Sequence, residues 1–293
     1  MVWLSTLAGL TFAILIVINA TFNLLTLYFV YRWWKRAPDK RPNHYLLASL
    51  VVSSVLVALF VIPVELNFLF KDILTPGLCQ VCATMFHLSA YSNILSQLVI
   101  AIHRFQKCRG MTSLNENVKL ALGLIWLTAF VCALAQGPWF YGTVSWYGDK
   151  LSCGLAGWLS KDAKLTLSIV NLAVPFAIVL LTLGLHVVIC SNHLGKPNDV
   201  EREDLTFIMV SLAIFIVCQI PSRVAPFLFR IRSLACSLNI PVSEYLLKFI
   251  AFSQGFLTPL IIWWKTPILR EAFERSPAVQ PSASPTMTSD GRI

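Results

Sequence analysis

Seven stretches of apolar residues, at about 4–31, 45–70, 79–106, 118–138, 164–190, 205–230 and 243–264, constrain this chain more than anything else in it. A helix needs about 20 mostly apolar residues to cross the hydrocarbon core of a bilayer, and each stretch is long enough. Lipid offers bare backbone amides and carbonyls no partner, so each is read as a helix. Several exceed a minimal span, which implies tilt or turns that project into water. Composition agrees: the chain is 57% hydrophobic and 13% charged, with a mean hydropathy of +0.71. Soluble domains carry about a quarter charged residues, which argues against a water-soluble enzyme. The first stretch lacks a basic leader and is too long for a signal-peptide core, so it is expected to be a retained first span. The expected fold is an all-α membrane protein, a bundle of seven transmembrane helices.

With seven spans the termini lie on opposite faces, and 15 of the 23 lysines and arginines fall on the C-terminal face. That excess places the C-terminus in the cytoplasm and the N-terminus outside. The net charge of +9 then serves topology and anionic membrane lipid, and nucleic acid is not an expected partner. The first inner loop, "YRWWKRAPDKRPNH", is the most basic, and its Trp33 and Trp34 suit a membrane interface.

The eight cysteines are scattered. "CQVC" (Cys79 to Cys82) has no second pair to complete a zinc site, so no metal and no cofactor are expected. On this topology Cys79 and Cys82 begin the third span outside, and Cys153 lies in the longest outer loop. The oxidising side allows a disulfide from that loop to the third span, through either Cys79 or Cys82.

Seven spans with these landmarks resemble a rhodopsin-like G-protein-coupled receptor. Cys79 precedes Arg104 of His103-Arg104-Phe105 by 25 residues, the spacing that family shows between its third-span cysteine and the arginine of D-R-Y. Trp126 matches the fourth-span tryptophan and Pro175 in "NLAVPF" the fifth-span proline. "CQIP" (Cys218 to Pro221) stands for C-W-x-P, and "TPLII" (Thr258 to Ile262) for N-P-x-x-Y. "LREAF" (Leu269 to Phe273) is similar to the family's short amphipathic eighth helix, at about 265–275. Asn23 stands for the first-span asparagine, with Asn19 as a rival. The resemblance covers nearly the whole chain. It implies one receptor domain at 1–275, a Cys79–Cys153 disulfide, and a plasma-membrane protein that answers an extracellular ligand by activating a heterotrimeric G protein. "HRF" in place of D-R-Y also resembles nematode serpentine chemoreceptors.

The departures are as informative. The position of the family's sodium-binding aspartate falls on Ser53, with partners at Asn93 and Thr258, and three neutral side chains compensate a buried cation poorly. The tyrosines expected at Leu183 and Ile262 are missing, and Gln219 replaces the ligand-sensing tryptophan before Pro221; Pro259 is kept. Glu201, 20 residues before Pro221, has the family's spacing for the acid that pairs with the third-span arginine at rest. The resemblance makes Arg104 and Glu201 a resting restraint that opens as the sixth helix moves. His103 removes the arginine's usual local partner. The bland alternatives are that Arg104 snorkels to headgroups and that Glu201 is a solvated residue at a helix start.

Charges inside a span are functional suspects. Arg223 lies two residues beyond Pro221, and Lys248, Glu65 and His87 fall at the depths where the family's ligands bind. Phe86 replaces the aminergic aspartate and Phe252 the retinal lysine, which argues against an amine receptor and an opsin. Arg223, Lys248, Arg230 and His87 against Glu65 favour an anionic or strongly accepting ligand, a small molecule or short peptide, with Arg223 as a bidentate anchor. The alternative is internal: a Glu65–Lys248 pair, and Arg223 bonded to Gln136 or Asn171. With a short N-terminus ahead of the first span, no hormone-capturing domain is expected. The sequon Asn19-Ala20-Thr21 lies within the first span and is not expected to carry sugar. The Pro/Ser/Thr-rich segment 276–293 is expected to be a disordered cytoplasmic tail.

Three rival functions remain. A channel or transporter often shows repeats and acidic coupling sites at mid-membrane; no repeat is seen, and no carboxylate survives at Ser53. An intramembrane enzyme lacks any motif; the five histidines are isolated. A receptor-derived protein that signals constitutively, or acts only as a dimerisation partner, fits the losses at Gln219, Ile262 and Leu183.

Overall fold

The computed structural model describes residues 2–36, 42–63, 76–111, 113–144, 151–155, 159–192, 199–231 and 240–265, some of them, such as Glu201 and Cys153, by their backbone only. Glu65, the segment 266–275 and the tail 276–293 lie outside the described residues. Among the described residues seven α-helices follow one another: α1 (Val2–Arg36), α2 (Pro42–Leu56), α3 (Pro76–Cys108), α4 (Ser113–Gln136), α5 (Lys161–Asn192), α6 (Asp199–Ile231) and α7 (Ile240–Lys265). Five described segments are long and apolar enough to cross a membrane, and shorter apolar helical stretches at Tyr45–Val61 and Met209–Val224 accompany them.

The bundle closes on itself. α1 packs on α2 and α7, α7 on α6 and α2, α6 on α5, and α3 touches α2, α4, α5 and α6. Of the membrane-crossing segment of α3, 61% is buried inside the protein against 22% for α4, so α3 is the axis and α4 a lipid-facing flank. The outward stripe of α4, with Leu120, Leu124, Leu127 and Phe130 exposed, has helical spacing and faces where acyl chains would lie.

Lipid is as apolar as leucine, so close packing and hydrogen bonds must hold such helices together. Small polar residues do this along α3. Ser96 and Ser49 share a hydrogen bond of 2.9 Å, and the Trp126 indole N–H donates to Ser49 Oγ at 3.1 Å, tying α2, α3 and α4 at one level. Apolar clusters fill the rest. Phe29, Leu46, Leu50, Ile100, Ile125 and Ile262 pack at one end, and Phe12, Leu15, Val57, Ile62, Cys82 and Phe252 toward the other.

Helix ends follow local chemistry. α3 stops where Gly110 adopts φ 71°, and the Met111 amide donates back to Gln106 O at 2.9 Å. α5 starts at Ser160, whose Oγ accepts from the Ala163 amide at 3.1 Å, with Asp162 in the first turn. The stretch 45–70, expected to be one regular helix, instead passes into a π turn at Val57–Val61. The outer loop expected between the fourth and fifth spans carries an antiparallel hairpin, β1 (Phe140–Val144) and β2 (Leu151–Leu155), with Cys153 opposite Gly142. β1 lies against α3.

Candidate functional site

Proline cannot donate a backbone hydrogen bond, so within a helix it strips the carbonyl four residues earlier of its partner. Pro175 in α5 therefore frees Asn171 O, and Pro259 in α7 frees Gly255 O. Each freed carbonyl is met by a side chain from another helix. Arg223 Nη1, on α6, donates to Asn171 O at 3.1 Å and also to Asn171 Oδ1. Asn23 Nδ2, on α1, donates to Gly255 O and to Asn19 O, both at 2.8 Å. Asn19 lies against the same glycine, where a Cβ would collide with its Oδ1.

Arg223 is 5% exposed and stands at the centre of the first candidate site. Its guanidinium carbon lies 5.8 Å from the Phe86 ring centre and 5.9 Å from that of Tyr91. Tyr91 in turn accepts a hydrogen bond of 2.6 Å from Gln136 Nε2. His87 is buried beside both rings, 5.8 Å from Phe86 and 6.4 Å from Tyr91, centre to centre. Phe86 also meets Phe252 of α7 edge-on at 6.3 Å. Gln219, one turn before Arg223, donates Nε2 to Ala251 O at 3.2 Å and so ties α6 to α7. Of the two internal partners the sequence offered for Arg223, Asn171 is the one engaged; Gln136 serves Tyr91. Arg223 Nε and Nη2, Gln136 Oε1 and Gln219 Oε1 are buried with no hydrogen-bond partner. Lys248 lies half-buried on α7. Its expected partner Glu65 is outside the described residues, as is the Arg230 side chain.

Below this lies a neutral polar core. Asn93 Nδ2 reaches Ser53 Oγ at 3.4 Å, and Asn93 Oδ1 accepts from Gln97 Nε2 at 2.8 Å. Ser53 Oγ donates to Leu50 O at 2.7 Å, and Ser89 Oγ to Ser53 O at 2.6 Å. Thr258 is buried, and Ile262 is fully buried in the apolar cluster that holds Leu46 and Phe29. Leu183 packs at the edge of the Ile94, Val179, Leu212 and Phe215 cluster.

At the far end of α3, His103, Arg104 and Phe105 are half-buried. The Arg109 guanidinium stacks 4.5 Å from the Phe105 ring centre. Arg104 lies within electrostatic reach of His186 on α5, a fully buried ring whose Nδ1 is 2.7 Å from Thr182 O. The Glu201 side chain lies outside the described residues, so its pairing with Arg104 has no geometry here. Pro221 is half-buried within α6. Cys79 is disulfide-bonded, while Cys82 is not and directs its Sγ at Val61 O, 3.9 Å away. Cys82 is thereby removed as the alternative partner for the outer loop.

Tyr91, Gln97, His186 and the Thr26–Trp263 contact, an indole N–H donated from α7 to α1 at 2.9 Å, carry no motif in the sequence. The signal for the carbonyl contacts was present: four residues before each mid-helix proline, a carbonyl needs an outside donor.

Residues 22–262 match the family described as "7 transmembrane receptor (rhodopsin family)". Over 133 residues the chain is also 26% identical to Neuromedin-U receptor 1 of Homo sapiens. That stretch covers 42% of this chain and 30% of the human receptor, so the match spans less than a third of that relative's length.

Proposed function

The chain belongs to the rhodopsin family of seven-transmembrane receptors, and from that premise we propose that it is a plasma-membrane receptor that binds an extracellular small molecule or short peptide with an anionic group and activates a heterotrimeric G protein. Family members are receptors and not enzymes, and the apolar helices make this a multi-pass membrane protein. The charge bias of the loops supports an outer N-terminus and an inner C-terminus. One observation carries the ligand reading. A buried arginine spends a single nitrogen on the fold and leaves two without partners. An unpaired charge inside a span is costly, and a ligand anion would offset that cost. Phe86, His87 and Gln219 wall the site, and Lys248 and Glu65 belong to its outer part in this reading.

The response runs through the other end of α3. Arg104 pairs with Glu201 at rest, and movement of α6 about Pro221, with α7 yielding at Thr258-Pro259, frees it to meet the G protein. His103 and Phe105 flank that contact. The outer hairpin is pinned by a Cys79–Cys153 disulfide, supported by the bonded state of Cys79 and the packing of β1 on α3. Peptide mapping of non-reduced protein should return that pair; recovery of Cys153 as a free thiol removes it.

Guanine-nucleotide exchange on G proteins, measured with the purified receptor in lipid nanodiscs, tests the reading. Glu201→Gln should raise exchange without ligand, because 1.4 kcal/mol of lost restraint is already about a tenfold shift in the equilibrium. Arg104→Ala should abolish exchange. Unchanged exchange in both variants returns Arg104 to a residue that reaches for headgroups. A second reading, a constitutive or silent receptor derivative, is favoured by Ile262, which is 0% exposed and offers no hydroxyl where the family has one. Wild-type exchange well above empty nanodiscs marks the constitutive form, and the absence of exchange with every G-protein class marks the silent one.

A further inference from the structure

The free edge of Arg223 has a shape as well as a charge. In a guanidinium group Nη1 lies on the side of Cδ, so Nε–H and one N–H of Nη2 point the same way, as a fork. Here Nη1 is the nitrogen held by Asn171, and Nε and Nη2 are the two that are buried and unpartnered. Two parallel N–H groups match the two oxygens of a carboxylate in its plane. Nearby acceptors are also unused. Gln219 sits four residues before Arg223, on the same helical face. It has committed its nitrogen to Ala251 O, and its Oε1 has no partner. Gln136 has committed its nitrogen to the Tyr91 hydroxyl, and its Oε1 likewise has none. The rings of Phe86 and Phe252, 6.3 Å apart, supply apolar surface beside the guanidinium.

Resting on the receptor reading above, we infer that this site takes a small monocarboxylic acid. Its carboxylate lies on the Nε/Nη2 edge of Arg223, a neutral N–H or O–H donates to Gln219 Oε1, and a ring or similar apolar group packs against Phe86 and Phe252. Among the described residues Arg223 is the only buried lysine, arginine, aspartate or glutamate, so one negative charge balances it. A dianionic phosphate would bring a second charge that nothing buried there offsets. An amine would face a cation across neutral amides.

N-acetylphenylalanine is a probe with all three features, and N-acetylphenylalaninamide is the same molecule without the charge or the fork-matching oxygens. Thermal unfolding of the purified full chain in detergent should show the acid raising the midpoint by about 2–4 °C, the amide leaving it in place, and phenyl phosphate giving a smaller rise than the acid. Arg223→Lys keeps the charge but not the fork, and should lose most of the acid's shift. Equal shifts from acid and amide, no shift from the acid, or a larger shift from phenyl phosphate each overturn the proposal, and none needs a folded variant. An acid-specific shift in a protein that turns over no G protein sinks the receptor reading and leaves this site. Turnover without any acid shift does the reverse.

Discussion

At Gly255 on α7 and at Asn171 on α5 the same defect, a carbonyl left bare by a proline, is closed by two different side chains. The α1–α7 seam uses a neutral amide, Asn23, and backs it with Asn19 against the glycine and with the Trp263 indole on Thr26. What stays unpartnered there is neutral oxygen, on Asn19 and Asn23. The α5–α6 seam uses a cation and engages one nitrogen in three. A buried neutral orphan costs about 1–3 kcal/mol, whereas a buried ion without its counter-charge costs several. The first seam is built to hold two helices together. The second retains an unfavourable charge that the fold alone does not need, which is where activity and stability are expected to pull apart.

Three measurements break or sharpen that contrast. The largest effect is expected from Gly255→Ala. The new methyl meets Asn19 Oδ1, and that side chain is anchored by its own 2.9 Å bond to Leu15 O. Overpacking of this kind costs about 1–3 kcal/mol, and parting the helices also strains the bond from Asn23. The thermal midpoint of the purified protein should fall clearly; a midpoint equal to wild type would mean the seam is loose.

Next comes a matched pair of near-isosteric changes. Asn23→Leu leaves Gly255 O bare in the bundle and should lower stability by about 1–3 kcal/mol. Arg223→Met also bares a carbonyl but removes the uncompensated charge, and buried ions are often replaced by apolar residues at little cost. Its midpoint should therefore lie close to wild type, and above that of Asn23→Leu. If Arg223→Met unfolds first, the arginine is a strut and the two seams are alike.

The smallest effect, none, is expected in the polar core between them. Ser53 and Asn93 spend their hydrogen bonds on Leu50, Gln97 and each other, and they carry no carboxylate. Exchanging sodium for a bulky organic cation at constant ionic strength should leave the midpoint in place. A sodium-specific rise would place an acid in that core and give the receptor a third charged region.

What the sequence disclosed and withheld divides along physical lines. Hydropathy identifies spans without knowledge of their neighbours, so the stretches 4–31 and 164–190 fall within α1 and α5. Pro175 and Pro259 were visible as landmarks, and Arg223 stood out because a charge in a span is expensive. Their partners were not visible, because Asn23 meets Gly255 from 232 residues away and Arg223 meets Asn171 from 52. Only packing chooses between Asn19 and Asn23, or between Gln136 and Asn171. Gln97 and His186 do not stand out in the sequence, because a single polar residue in an oily helix has no periodicity to betray it. The π turn was also silent, since "VALFV" reads as any apolar helix does.

That turn bears on how the chain tolerates changes in length. A π turn accommodates one residue more than the α-helix on either side while the flanks keep their facing, so it behaves as an insertion already absorbed. Within Val57–Val61 the core is served by Val57, Ala58 and Val61, while Leu59 and Phe60 are about half exposed. Losing one of those two residues would let the turn relax to regular helix without swinging Ser53 or Ile62 off the core. The same deletion in the middle of α3 would rotate everything beyond it by about 100°.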